Sequence, residues 1–201
     1  MSLAIKADNK ISEDEYLSGE KTSDIKFEFI NGDVFSMAGA SRNHNILSSN
    51  ISRELGNQLK HNSSSCTTFS SDMKIKVSST GKSFFYPDVM VSCDKDGCED
   101  EYFITTPKII VEVLSKSTRK MDTTTKMLHY FTIPSLEEYV LIEQDICEIQ
   151  VFKKSEDWRC SFYFLSDVIN FSSINVSISV EDIYYQIDNE EVVAFMEQKT
   201  L

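Results

Sequence analysis

Two apolar runs constrain this chain more than anything else in it: Phe84-Phe85-Tyr86-Pro87-Asp88-Val89-Met90-Val91 and Ile109-Ile110-Val111-Glu112-Val113-Leu114. Each reads as a β-strand carrying one carboxylate. Alternate side chains of a strand leave on opposite faces, so Asp88 is expected to share a face with Phe84, Tyr86 and Met90, and Glu112 with Ile110 and Leu114. Both acids then point where hydrocarbon normally points. A carboxylate held among aliphatic side chains is costly unless a cation, a proton or a hydrogen-bond donor compensates it. Two such acids on neighbouring strands would also repel each other, and a divalent metal between them removes both penalties. Oxygen ligands of this kind suit Mg2+ or Mn2+. The Glu112 run, apolar on both faces apart from that residue, predicts a central strand. Pro87 has no N–H to give a ladder and predicts an edge position or a bulge where Asp88 is aimed.

The segments around these strands follow from periodicity and turn chemistry. Residues 11–20 read as a short amphipathic helix with Ser12 as N-cap. Lys26–Ile30 and Asp33–Met37, joined by Asn31-Gly32, read as a hairpin with a two-residue type I′ turn. Glu28 lies in its first strand, and the bare pattern favours a solvent-facing residue of an edge strand. Asn43 to Lys60 reads as a helix capped by Ser41 or Asn43, with Leu47, Ile51, Leu55 and Leu59 forming its apolar stripe. His44 falls on that buried face, where a satisfied core histidine is the commoner outcome. Asp72–Val77 alternates as a strand, and residues 93–107 read as an exposed acidic loop ending at Pro107.

Arg119 to Phe131 reads as the second major helix. Asp122, Lys126 and His129 share one stripe of it, since residues three and four apart are neighbours on a helix. Asp122 and Lys126 form either an exposed ion pair or a pair whose ammonium reaches Glu112, and spacing does not choose between them. Glu138–Glu143, Glu148–Lys153 and Arg159–Phe164 read as successive antiparallel strands, Val176–Ile178 as another, and Val180–Ile187 as a short helix before a charged tail.

The chain has 201 residues, 41% of them hydrophobic and 26% charged, which suits one globular domain over residues 1–201. No apolar run approaches the ~20 residues of a membrane span, and the polar start has no signal-peptide core, so a cytoplasmic protein is expected. The five cysteines form no C-x-x-C pair and read as free thiols rather than a disulfide framework or zinc site. Asp94-Lys95-Asp96-Gly97 reads as a turn between two of them. There is neither a Walker loop nor a Rossmann glycine signature. The net charge of −12 is unlike the basic footprint usual in nucleic-acid binders.

Taken in order, Phe27-Glu28-Phe29-Ile30-Asn31-Gly32, His44, Tyr86-Pro87-Asp88-Val89, Pro107, Val111-Glu112-Val113-Leu114-Ser115-Lys116-Ser117-Thr118, Asp122, Lys126, Tyr130 and Glu138-Tyr139-Val140-Leu141-Ile142 resemble the Uma2 family of the PD-(D/E)XK nuclease superfamily, over about residues 11–187. The resemblance implies an α+β or α/β fold: a restriction-endonuclease-like mixed β-sheet flanked by helices, with an N-terminal hairpin and C-terminal antiparallel strands. It implies a Mg2+ or Mn2+ site on Asp88 and Glu112, with Glu28, His44 and Asp122 as supporting residues. Where the superfamily motif has lysine this chain has Leu114, and Lys126 is the expected migrated replacement, with Lys116 the second choice. The implied activity is metal-dependent hydrolysis of DNA phosphodiester bonds by Asp88, Glu112 and Lys126, with Lys74, Lys76, Lys82, Arg119 and Lys120 as candidate phosphate contacts. A possible homodimer suits cutting both strands of a duplex. The alternatives are an inactive nuclease-fold module binding nucleic acid or protein, and acids merely paired to basic side chains inside the sheet.

Overall fold

The computed structural model of the chain describes residues 10–37, 39–78, 82–93 and 101–199. Helix α1 (Glu13–Glu20) starts from a reciprocal cap: the Ser12 hydroxyl accepts from the Glu15 N–H, and the Glu15 carboxylate accepts from the Ser12 N–H at 2.7 Å. β1 (Phe27–Ile30) and β2 (Asp33–Ser36) form the expected hairpin. Asn31 and Gly32 both hold positive φ, 49° and 96°, as a type I′ turn requires. Helix α2 (Arg42–His61) is capped by Ser41, whose hydroxyl accepts from the His44 N–H at 3.1 Å. It buries Leu47, Ile51, Leu55 and Leu59 along one face.

Six strands follow: β3 (Thr67–Ser70), β4 (Lys74–Val77), β5 (Ser83–Phe85), β6 (Val89–Ser92), β7 (Phe103–Ile104) and β8 (Pro107–Leu114). The predicted turn at Asp94–Gly97 lies outside the described residues. After β8 the chain winds through a π-helical turn (Met121–Lys126) into α3 (Met127–Tyr130). Then come β9 (Glu138–Glu143), β10 (Ile149–Lys153), β11 (Arg159–Tyr163), β12 (Val168–Phe171), β13 (Val176–Ser179), α4 (Val180–Ile183) and α5 (Glu190–Lys199). β12 and α5 were not expected from the pattern. The first is only four residues long, and the second begins in the charged tail.

The run read as one strand from Phe84 to Val91 is in fact two. Without the Pro87 N–H the ladder cannot continue, and the chain changes sheets at Tyr86-Pro87-Asp88. β5 sits in a five-stranded sheet ordered β2-β1-β5-β4-β7, whereas β6 sits in a six-stranded sheet ordered β11-β10-β9-β8-β6-β3. β8 is central in the latter, antiparallel to β6 and parallel to β9. The sheet is therefore mixed, and helices flank it. On one face Ile109, Val111 and Val113 pack with the leucine stripe of α2. On the other, Ile110 and Leu114 pack with Phe85, Tyr130 and Tyr139. Glu112 belongs to that second face by alternation, as its neighbours predicted.

The cysteines correct the sequence reading. Cys66 and Cys93 form a disulfide, while Cys147 and Cys160 are free. Thr67 pairs with Ser92 in the antiparallel β3–β6 ladder, so the next residues outward, Cys66 and Cys93, fall opposite each other. Sequence spacing carries no sign of that register. Among the described residues, no helix is long and apolar enough to cross a membrane.

Candidate active site

Strand register brings the two key acids together. Val89 pairs with Val111, which sets Asp88 opposite Glu112, and the Asp88 N–H lies 3.4 Å from Glu112 Oε2. Asp88 occupies the crossing between the two sheets. Its Oδ2 accepts from the Val113 N–H at 2.8 Å and lies 3.2 Å from His44 Nε2. His44 is delivered there by the first turn of α2, so its place on the inward face serves the carboxylate rather than the core. Burial works against a charged imidazole, but the bond to Asp88 and the field of Asp88 and Asp122 outweigh it, and the His44 pKa is raised.

Glu112 is only 3% exposed. Its Oε1 accepts from the Tyr130 hydroxyl at 2.9 Å and from Lys126 Nζ at 3.2 Å. Burial pushes its pKa well above the ordinary carboxylate range. The Lys126 ammonium offsets part of that, and Asp122, Asp88 and Glu28 add to it.

Lys126 is the hub of the cluster. Its ammonium lies 2.8 Å from Glu28 Oε1, 3.2 Å from Glu112 Oε1 and 3.3 Å from Asp122 Oδ1. Burial alone would drive a lysine toward its neutral form, yet Glu112, Glu28 and Asp122 together hold its pKa well above normal. The expected reach of Lys126 to Glu112 is therefore present. The π-helical turn contributes by admitting an extra residue per turn, and both Asp122 and Lys126 face inward and are buried. Asp122 Oδ1 has the Lys126 ammonium as an ion-pair partner but accepts no hydrogen bond, leaving a buried carboxylate oxygen without a donor.

Glu28 departs from the edge-strand reading. β1 is paired on both sides, by β2 and β5, and Glu28 is 7% exposed. Its Oε1 bonds Lys126 and accepts from the Tyr86 N–H at 3.3 Å. The hairpin thus donates an acid to a site built mainly on the other sheet.

Lys116 is not at the site. Its side chain is 90% exposed and lies 3.9 Å from Asp145. Most of the expected phosphate contacts are also engaged elsewhere. Lys74 is buried beside Glu20 at 3.6 Å, Lys76 and Lys82 both pair with Glu13 at 2.6 and 2.7 Å, and Arg119 grips both oxygens of Glu143. Lys120 is exposed.

Two residues escaped a role in the sequence reading. Tyr130 lies four residues after Lys126, so extending the helical stripe by one turn would have reached it. Gln144 had no such signal: its side-chain N–H donates to the Leu114 carbonyl at 2.9 Å while its Oε1 accepts from the Ser41 hydroxyl at 2.6 Å. It ties the start of α2, which carries His44, to the end of the Glu112 strand.

Four carboxylates (Glu28, Asp88, Glu112 and Asp122) thus face one ammonium and one imidazole, and one acid oxygen has no donor. That donor set fits a hard divalent cation. Among the described residues no three His, Cys, Asp or Glu side chains form a ready-made metal cage, and a cation between Asp88 and Glu112 would rest on two carboxylates. Mg2+ characteristically binds in that way, completing its shell with water and substrate phosphate.

The Uma2 family model, described as "putative restriction endonuclease", matches residues 13–174. The chain belongs to the Uma2 family. All six site residues discussed above lie inside the matched span. Similar to this Uma2 chain is the uncharacterized protein slr1290 of Synechocystis sp., 35% identical over 177 residues that cover 87% of this chain and 92% of the relative. A second Synechocystis protein, the uncharacterized sll1609, is 39% identical over 145 residues, covering 71% and 80%. The fold matches the crystal structure of a putative nuclease belonging to DUF820 from Anabaena variabilis, with a TM-score of 0.71 at 17% identity, over 87% of this chain and 97% of that one. The two chains thus share one architecture.

Proposed function

We propose that this Uma2 protein is a metal-dependent endonuclease that hydrolyses phosphodiester bonds of DNA, folded as one domain and acting in the cytoplasm. The observation that carries the reading is the placement of Asp88 directly opposite Glu112, with the Lys126 ammonium 3.2 Å from Glu112. Asp88 and Glu112 would hold Mg2+ or Mn2+, which when bound supplies Lewis acidity toward a phosphate oxygen and makes water a competent nucleophile at neutral pH. Lys126 keeps Glu112 in place and offsets negative charge growing on the phosphoryl oxygens. Glu28 and Asp122 keep Lys126 protonated, and His44 orients Asp88. A two-fold dimer would let two such sites address the two strands of a duplex. A cytoplasmic setting would hold Cys66 and Cys93 as thiols.

A second reading, an inactive nuclease-fold module that binds nucleic acid or protein, draws support in its protein-binding form from one observation: Lys76 and Lys82 share Glu13 as ion-pair partner and Arg119 is held by Glu143. Asp88→Asn separates the two. The amide oxygen can still accept the Val113 N–H, so the fold is expected to melt within a few degrees of wild type. Calorimetric titration should show Mn2+ binding to wild type and none to the variant, together with loss of cleavage. Equal Mn2+ binding by both proteins would refute the metal assignment. Binding to DNA without metal uptake or cleavage would favour the module.

A further inference from the structure

The geometry points to Tyr130 as a positioning residue that, together with Lys126, reserves one oxygen of Glu112 for the protein and turns the other toward the incoming cation. This rests on the metal site proposed above. Both donors fall on the same atom: Glu112 Oε1 accepts from the Tyr130 hydroxyl at 2.9 Å and from Lys126 at 3.2 Å. Oε2 is the oxygen on the Asp88 side, 3.4 Å from the Asp88 N–H. A carboxylate is two-fold symmetric, and without such asymmetry its oxygens exchange by rotation about the last torsion. Two donors on one oxygen remove that freedom before the metal arrives.

Tyr130 is well placed to impose this. Its ring is fully buried and lies edge-on against Phe85 and Tyr139, each with centroids 5.4 Å apart. The hydroxyl therefore has little room to swing. Tyr130 and Lys126 are four residues apart at the end of one helical stretch, which makes the pair of donors a rigid unit. Residues that orient a ligand in this manner typically change metal affinity by about 10–100-fold when removed.

Tyr130→Phe deletes the oxygen and keeps the ring. Tyr139→Phe is the matched comparison: it deletes a hydroxyl equally buried in the same cluster, but one that donates to the Asp122 carbonyl at 3.0 Å rather than to Glu112. Mn2+ alone is titrated into each protein by calorimetry. The expected result is a Kd raised by about 10-fold or more in Tyr130→Phe and nearly unchanged in Tyr139→Phe. A Tyr130→Phe Kd equal to wild type, or an equal rise in both variants, overturns the inference while leaving the metal site standing. Wild-type protein that binds no Mn2+ overturns the metal site and this inference together. Urea unfolding without metal gives an independent readout: Tyr130→Phe and Glu112→Leu, which removes the acceptor, should be non-additive, and strict additivity overturns the contact itself.

Discussion

Lys126→Met removes the one ammonium from the acid cluster while nearly preserving the length of the side chain. In the wild type three carboxylate oxygens lie 2.8, 3.2 and 3.3 Å from Nζ. At an effective dielectric of about 20, each such pair is worth roughly 5 kcal/mol before desolvation is subtracted. Burying the ammonium consumes much of that gain, and removing one partner of a buried pair has a typical net cost of about 3–5 kcal/mol. The cost should depend on pH with a definite sign. Glu112 already carries a raised pKa, and losing Lys126 raises it further. Between the unfolded carboxylate value near 4.3 and that raised folded value, the native variant binds more protons than the unfolded chain. Its stability then increases as pH falls, by up to about 1.4 kcal/mol per pH unit for each proton taken up. Wild type gains the same slope only below its own lower folded value, so the deficit narrows between the two values. Urea unfolding followed by circular dichroism at pH 5, 6.5 and 8 measures this. We expect a deficit of about 3–5 kcal/mol at pH 8 that narrows toward pH 5. A deficit below about 1 kcal/mol at pH 8, the range of exposed ion pairs, or one independent of pH, would refute the buried-hub account.

Three further predictions concern other parts of the molecule. Reducing the Cys66–Cys93 disulfide, which spans 27 residues, should cost about 3–4 kcal/mol on the chain-entropy estimate, read as a lower urea midpoint together with two additional titratable thiols. Gly32→Ala should lower stability by about 1 kcal/mol or more: φ is +96° and the new Cβ would meet Lys10 Cβ at 2.8 Å, so an unchanged midpoint would count against the hairpin geometry. The raised pKa of His44 means that protonated His44 stabilises the fold fully below the unfolded histidine value of about 6.5, with the contribution lost as pH rises through the folded value. The melting-temperature gap between wild type and His44→Gln should therefore be widest near pH 5.5 and close toward pH 8.5.

Much of the site was legible in the sequence because each part is a local pattern. A lone acid in an apolar strand, a histidine at the start of an amphipathic helix, and an Asp and Lys four residues apart are visible without knowing what they touch. The alternation that placed Glu112 with Ile110 and Leu114, and the leucine stripe of α2, needed only strand and helix periods. The Asn31-Gly32 turn needed only the preference of that pair for positive φ.

What the sequence left open was decided by pairing between distant segments, which leaves no local trace. Whether Glu28 faced solvent depended on β5 joining the outer side of β1. Whether Lys74, Lys76, Lys82 and Arg119 were available depended on where Glu20, Glu13 and Glu143 came to lie. The disulfide followed from the β3–β6 register, and the sheet change at Pro87 from the availability of a second sheet for β6 to join. The chain by itself determined which residues must be compensated, since a buried charge is costly in any fold. Only the tertiary structure decided by whom, because a Coulomb contact is set by a few ångströms of space and not by distance along the chain.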